Sequence, residues 1–157
     1  MTMLRLQQFL PYRLSIASNR VSDLIAGSYR SLFGLSVAEW RLACVLAERG
    51  EATQAELAAA TQMDKLTVSR AAIALTQRGL VRRSDHPGDR RSRLLALSAT
   101  GRKLYAEVAP RALALEADVL ADFTPSERDA LAAMLVRLET AAAALHHHPQ
   151  EAPRAAV

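Results

Sequence analysis

The chain has 157 residues and a formal net charge of +4, and half of its residues are hydrophobic while only 4% are aromatic. This is the length of one ordinary domain, and we expect a mostly helical chain with an aliphatic core because Leu and Ala favour helices. No apolar run is long enough to predict a membrane span, and no signal peptide is evident. A single cysteine excludes an intramolecular disulfide, so we expect a cytoplasmic protein.

The charge is distributed unevenly along the chain. Residues 1–50 carry +3, residues 51–103 carry +5 and residues 104–157 carry −4. A basic middle third flanked by an acidic C-terminal third indicates that the middle of the chain contacts a polyanion.

The first half of the chain is predicted to begin with two helices. Apolar residues at three- and four-residue steps predict a long amphipathic helix over residues 4–31. Pro11 is unfavourable inside a helix, so the alternative is a helix that begins there, with the proline in its first turn. Gly34 is expected to end this helix. Ser36, followed three residues later by a glutamate, predicts the capping box of a second helix that Gly50 closes.

A short helix, a turn, a longer helix and a hairpin are predicted next. Thr53 caps the stretch "QAELAAAT", and Asp64 caps "KLTVSRAAIALTQRG", which ends at Gly79. Residues 80–98 have strand character on both sides of a Pro-Gly turn, which predicts a β-hairpin with a basic tip.

Two more helices complete the chain. One is expected to start at Ser98 or Thr100. The other is expected to start at Thr124, which would cap it, with a proline at the first helical position and a glutamate at the third. The last helix is Ala- and Leu-rich and runs to about residue 145. Residues 146–157 show no periodicity, and we expect a flexible tail there.

Residues 53–97 therefore have the order of a helix-turn-helix followed by a wing. In such a unit the second helix enters the major groove of DNA. We expect its apolar side chains to pack inward and its polar ones to face outward, where they can bind phosphates and base edges. The inward set is Val68, Ala71, Ala72 and Leu75, and the outward set is Lys65, Thr67, Ser69 and Arg70.

The arginines of the predicted wing suit a DNA groove. The minor groove is narrow and negative over A·T-rich DNA and draws in an arginine side chain, a role that fits Arg90 or Arg91. We expect Asp89 to hold one guanidinium group and to orient the loop. The base of the hairpin adds three arginines within reach of phosphates: Arg82, Arg83 and Arg93.

This order of motifs resembles the MarR family of bacterial transcription regulators. "LTVSRAAIALTQRGLV" resembles the family's recognition helix and following strand, "FGLSVAEWRLACVLAE" its second helix, and "DRR" with the later "LSATG" its wing signature. The resemblance covers roughly residues 10–145. It implies a mostly α winged helix-turn-helix fold with a small β-hairpin wing.

The resemblance also implies an obligate homodimer on a palindromic DNA site. Residues 10–35 and 101–145 would be the dimerisation helices, residues 36–100 the DNA-binding lobe and residues 146–157 the tail. The helices at 10–31 and 101–145 are too apolar to face water, which favours a dimer independently.

Members of this family commonly bind a small aromatic carboxylate or its thioester, and we expect a repressor that such a ligand releases from DNA. Arg13 and Arg20 offer cations for the carboxylate, Asn19 a neutral donor, and Trp40 an apolar wall. The alternative is that these arginines reach solvent and that Trp40 belongs to the core.

Other functions have weaker support. A winged helix that binds protein predicts an uncharged recognition face, which this chain lacks. Redox sensing through Cys44 is disfavoured because "LACVL" is apolar and brings no cation beside the thiol. The histidines at 146–148 have no carboxylates at a fixed spacing, so we expect neither a metal nor another cofactor. No catalytic set is evident, and His86 is the only histidine outside the tail, so we expect no enzyme.

Overall fold

The computed structural model describes residues 3–147 and all of their side chains except those of Arg90, His146 and His147. Six α-helices and three strands follow one another, after one short 3-10 turn at Leu6–Gln8. They are α1 (Leu10–Phe33), α2 (Val37–Arg49), β1 (Glu51–Thr53), α3 (Gln54–Thr61), α4 (Lys65–Gln77), β2 (Val81–His86), β3 (Asp89–Leu97), α5 (Ala99–Val119) and α6 (Pro125–His147). The chain divides into two compact units, residues 1–115 and residues 116–157.

The predicted capping residues determine where the helices begin. The Ser36 hydroxyl accepts a hydrogen bond from the backbone N–H of Glu39, and the Glu39 carboxylate accepts one from the N–H of Ser36. The same reciprocal pair forms at Thr53 with Glu56. Thr124 and its partner glutamate repeat the arrangement at the start of α6. The predicted capping boxes are therefore confirmed.

Glycine ends the first long helix. Gly34 has a φ of 61°, in the left-handed region that favours glycine, and its N–H donates to the carbonyl of Arg30. Pro11 lies in the first turn of α1, where its missing N–H costs nothing, as predicted.

The three strands form one small antiparallel sheet in the order β1-β3-β2. The hairpin of β2 and β3 was expected, and Val81 pairs with Leu97 at its base. Strand β1 was not expected, because its three residues, the last of which is the cap of α3, are too few for an alternating pattern. It pairs with β3 through Ala52 and Leu95, both of which are buried.

The core is mainly aliphatic, as expected from the composition, and also contains the aromatic residues Tyr29 and Trp40. It lies between α2, α3, α4 and the sheet, and α5 adds Val108, which is fully buried. The largest fully buried side chains are Leu35, Leu42, Leu46, Leu57, Val68, Leu75, Leu95 and Val108.

The outer helices keep apolar side chains on the surface of the single chain. Tyr29 is the one buried residue of α1, and Leu10, Leu14, Val21 and Leu24 are all exposed. In α6 no residue between positions 125 and 145 is buried. Between residues 3 and 147, none of the helices combines the length and apolar character needed to cross a membrane.

Candidate nucleic-acid interface

The turn between α3 and α4 is short because two residues adopt special conformations. Gln62 has a φ of 54°, in the left-handed region, and reverses the chain directly after α3. Asp64 then caps α4, since its carboxylate accepts from the backbone N–H of Thr67 at 2.8 Å. The Thr67 hydroxyl donates to the same carboxylate. The two hydrogen bonds, of which the one from the side chain has the larger effect, hold the pKa of Asp64 below its ordinary value. Helices α3 and α4 thus form the predicted helix-turn-helix.

The inward face of α4 is the one predicted. Val68, Ala71, Ala72 and Leu75 are at most 5% exposed. On the outside, Lys65 and Arg70 are exposed, and Ser69 is half-buried. The side chains of α4 thus divide into a buried apolar face and a solvent face that carries two cations near the helix N-terminus.

Thr67 lies at the edge of the outward face. Its side chain is half-buried, and its hydroxyl donates to the Asp64 carboxylate at 2.6 Å. The proton of this hydroxyl therefore serves the helix cap, so only the lone pairs of its oxygen remain for a further partner.

Two aliphatic residues occupy the centre of the solvent face and were missed from the sequence. Leu66 is 58% exposed and Ile73 is 44% exposed. At about 100° per residue both lie opposite the buried Val68 and Leu75. They belong to neither the inward set nor the outward set predicted from the sequence, and their exposure places them on the solvent face.

The wing carries its charge differently from the prediction. The Arg93 guanidinium pairs with the carboxylate of Asp85 across the hairpin. Asp89 instead accepts a hydrogen bond from the backbone N–H of Arg91 at 2.9 Å. The expectation that Asp89 holds a guanidinium is thus wrong for Arg91 and Arg93, because its carboxylate caps the turn. The side chain of Arg90 lies outside the described residues.

Arg91 is exposed near the tip of the hairpin. Among the described side chains the ion pairs are those of Arg93 with Asp85 and of Arg78 with Glu39, so Arg91 has no carboxylate within ion-pair distance. It is therefore available to a polyanion.

A second set of contacts fixes the C-terminal end of α4 and the chain that leaves it. Arg78, just after α4, donates to the backbone carbonyls of Phe33 and Gly34 at 3.1 and 2.9 Å. The Ser98 hydroxyl donates to the Gly79 carbonyl at 2.6 Å and accepts from the N–H of Gly101. The serine and glycine of the "LSATG" motif thus hold the start of α5 against the chain that leaves α4.

Comparison with known proteins agrees with this geometry. A model of the MarR family matches residues 33–92. The HTH-type transcriptional regulator YwoH of Bacillus subtilis is 31% identical over 98 residues, which is 62% of this chain and 71% of YwoH. The chain belongs to the MarR family. It is accordingly a DNA-binding transcriptional regulator with a winged helix-turn-helix fold, as predicted.

A second curated relative and two solved structures are also similar, and the two structures cover more of this chain. The HTH-type transcriptional repressor NicR of Pseudomonas putida is 32% identical over 60% of this chain and 60% of its own length. A probable transcriptional regulator from Pseudomonas aeruginosa superposes with a TM-score of 0.77 at 31% identity, over 85% of this chain and 99% of that one. The BpsR structure from Bordetella bronchiseptica, which concerns regulation of DNA binding by 6-hydroxynicotinic acid, superposes with a TM-score of 0.82 at 25% identity over 88% and 98% of the two chains.

The residues expected to bind an effector in this MarR-family chain do not come together within one chain. Trp40 is buried, with its ring 5.3 Å from that of Tyr29 and 5.4 Å from that of Tyr105. Arg13, Asn19 and Arg20 are exposed in the N-terminal half of α1. Tyr29 is the residue of α1 whose ring lies next to Trp40. Arg20 precedes Tyr29 by nine residues, or about 14 Å along the helix, so it lies far from the Trp40 ring. Trp40 is therefore a core residue here, which is the alternative stated above.

A cavity of about 300 Å³ in residues 1–115 offers a different set of groups. The exposed arginines Arg82 on β2 and Arg102 on α5 border it together with Tyr105. The Arg102 guanidinium is anchored by a hydrogen bond to the carbonyl of Leu97 at 2.9 Å. The remaining walls are apolar or glycine: Leu46, Ala47, Gly50, Ala96 and Leu97.

The chemistry of Cys44 opposes a redox role. The thiol is half-buried, and burial, with a smaller effect of Glu48, raises its pKa to about 11. A reactive cysteine needs a lowered pKa because the thiolate is the nucleophile. Among the side chains that the structure describes, which do not include those of His146 and His147, no group of three or more His, Cys, Asp or Glu is arranged to hold a metal. The histidine at position 148 lies outside the described residues.

Proposed function

We propose that this regulator is a repressor that binds a palindromic operator as a homodimer and is released by a small aromatic acid. The observation that carries the DNA-binding part is the exposed face of α4 beside a basic wing. Arg70 and Lys65 lie on the first half of α4, and Arg91 lies near the hairpin tip. Cations at these places suit phosphates and base edges of duplex DNA. Because that DNA is the chromosome, we expect the protein in the cytoplasm.

In this proposal α4 lies in the major groove. Arg70 contacts a base edge, Lys65 a phosphate, and Ser69 and Thr67 offer hydroxyl oxygens near the helix N-terminus. The wing places Arg90 or Arg91 in the minor groove. Arg93 contacts a phosphate by exchanging its exposed pairing with Asp85, and a pair on the surface costs little to break.

The dimer is proposed from the apolar surface of the outer helices. Leu10, Leu14, Val21 and Leu24 form one exposed stripe along α1. Residues 125–145 of α6 remain unburied although many are Leu, Met or Val. Contiguous apolar surface of this kind marks an interface, and a two-fold dimer would present two copies of α4 to a palindrome. The dimerisation helices therefore remain assigned to residues 10–35 and 101–145, and the DNA-binding lobe to residues 36–100.

Repression and release by an acid are proposed from two relatives. NicR is described as a repressor, and BpsR as regulated by 6-hydroxynicotinic acid. In this chain the cavity beside Arg82 and Arg102 supplies two cations and Tyr105 over an apolar floor, which suits an aromatic carboxylate. We prefer it to the set of Arg13, Asn19, Arg20 and Trp40, since that set does not converge within one chain. Ligand binding would favour a state in which the two α4 helices no longer fit adjacent major grooves.

The DNA-binding proposal is tested by a gel shift on the DNA upstream of the protein's own gene, at two salt concentrations and with nonspecific competitor. We expect a retained band and a steep loss of affinity with salt. Arg91→Ala should reduce the salt slope by roughly one unit if a phosphate contact is lost. Arg70→Ala should relax the sequence preference at a cost of about 1–3 kcal/mol. A band that any DNA competes away equally would favour the protein-interaction alternative.

The effector proposal is tested in the same assay by adding benzoate, cinnamate and 6-hydroxynicotinate. One of these acids is expected to release the operator from the wild-type protein. The paired variant Arg82→Ala with Arg102→Ala should resist release. It should still bind the operator, with a loss no larger than that of one phosphate contact, because Arg82 is also within reach of phosphates. The variant Arg13→Ala with Arg20→Ala is the matched control and should still respond. The opposite result would return the effector site to α1.

A further inference from the structure

The centre of the exposed face of α4 is aliphatic, although its surroundings are polar. Leu66 and Ile73 are 58% and 44% exposed. They are seven residues apart, almost two turns, so they lie on one line along the helix about 10 Å apart. This line is opposite the buried face, so it is the part of α4 that a groove would contact most closely.

The surroundings of this pair indicate what it contacts. Arg70 is exposed between the two aliphatic residues, and Lys65 is exposed beside the first of them. The exposed Arg91 of the wing adds to the same positive charge. A cationic surface complements the phosphates of DNA, whereas an apolar surface of a protein partner would leave these cations without counter-charge.

Duplex DNA offers an aliphatic side chain one apolar group in the major groove, the C5 methyl of thymine. We propose that Leu66 and Ile73 determine operator specificity by packing against thymine methyl groups in each half-site. This inference rests on the proposed entry of α4 into the major groove. Leu66 lies in the first turn, which approaches the bases most closely, so its thymine matters most.

The test removes a single methyl group from the DNA. An operator is first selected from random duplexes with the wild-type protein, and each thymine of a half-site is then replaced in turn by deoxyuridine. At one or two positions we expect the affinity of the wild-type protein to fall about three- to tenfold. Leu66→Ala should bind the thymine operator more weakly and lose nothing further at the position assigned to Leu66. Ile73→Ala should behave in the same way at its own position.

Two controls separate methyl recognition from a general loss of binding. Deoxyuridine outside the half-sites should change nothing. Arg70→Ala should bind more weakly but keep the full difference between thymine and deoxyuridine. Equal affinity of the wild-type protein for every deoxyuridine operator would overturn the inference while leaving DNA binding intact. A Leu66→Ala protein that keeps the full thymine preference at every position would overturn the role of Leu66. Failure to select any operator would instead remove the proposed function, and this inference with it.

Discussion

Gly101 makes the closest approach between α5 and the chain that leaves α4. A Cβ atom at this position would overlap the backbone carbonyl oxygen of Leu80 and lie 3.0 Å from its carbonyl carbon. The same oxygen accepts a hydrogen bond from the N–H of Ser98, so it cannot move away freely. The glycine of the "LSATG" motif is therefore required by packing, and not by a left-handed backbone.

We expect Gly101→Ala to destabilise the protein by about 1–3 kcal/mol, the usual cost of forcing atoms into a packed region. Urea unfolding followed by circular dichroism measures the change. Thr100→Ala is the control, because Thr100 is exposed in the same helical turn, and surface changes of this kind stay within about 0.5 kcal/mol. Equal stability of the glycine and alanine proteins would show that α5 does not pack this closely.

Cys44 is predicted to be an unreactive thiol in the folded protein. Because its pKa is raised to about 11, the thiol stays protonated at neutral pH and should react slowly. We expect peroxide treatment of the protein at pH 7.5 to leave operator affinity unchanged, and alkylation by iodoacetamide to become fast only after unfolding in urea. Cys44→Ser is the control for damage at other sites. Loss of operator binding in the wild-type protein, but not in this variant, would establish the redox alternative.

Of the carboxylates that cap helices, those of α3, α4 and α6 have lowered pKa values. Hydrogen bonds from Thr53 to Glu56, from Thr67 to Asp64 and from Thr124 to Glu127 hold the pKa of each carboxyl below its ordinary value. The ordinary values are 4.5, 3.8 and 4.5. Because each folded pKa is the lower one, the stabilisation is complete above about pH 4.5 and is lost as the pH falls through the folded pKa values.

We therefore expect the urea concentration at the midpoint of unfolding to decrease as the pH is lowered from 5 to 3. The triple variant Glu56→Gln, Asp64→Asn and Glu127→Gln keeps an oxygen acceptor at each cap but cannot titrate. At pH 5 its urea midpoint should be lower than that of the wild-type protein. Between pH 5 and pH 3 its midpoint should change less than that of the wild-type protein. Parallel pH profiles of the two proteins would assign the acid sensitivity to other groups.

The elements were largely predictable because their signals are local. Caps such as Ser36 and terminators such as Gly34 act within one turn, so the sequence determines the helix ends almost alone. Strand β1 was missed because its pairing partner Leu95 lies more than forty residues away in sequence. Tertiary packing also decides that Leu66 faces solvent and that Trp40 stacks on Tyr105. Recognition and effector residues depend on such packing, so they were the least predictable part of the site.

The exposed apolar stripe of α1 is predicted to be an interface between two copies of the chain. Leu14 and Val21 are 42% and 39% exposed in the single chain and lie on one side of the helix. If two copies bury this stripe, Leu14→Glu with Val21→Glu should place four carboxylates in the interface without partners and dissociate the dimer. Light scattering coupled to size exclusion should then give the mass of one chain, 17.1 kDa, in place of twice that value.

The same variant separates folding from assembly. Because both substituted residues are exposed in one chain, the helix-turn-helix core should remain folded, and circular dichroism checks this. Affinity for a palindromic operator should fall at least tenfold, since each chain then holds one half-site without help from the other. Asn19→Glu, on the opposite side of α1, is the control and should remain a dimer with unchanged affinity. A dimeric double variant would show that the subunits meet elsewhere, and a monomer that binds the palindrome undiminished would show that the operator is read by one chain at a time.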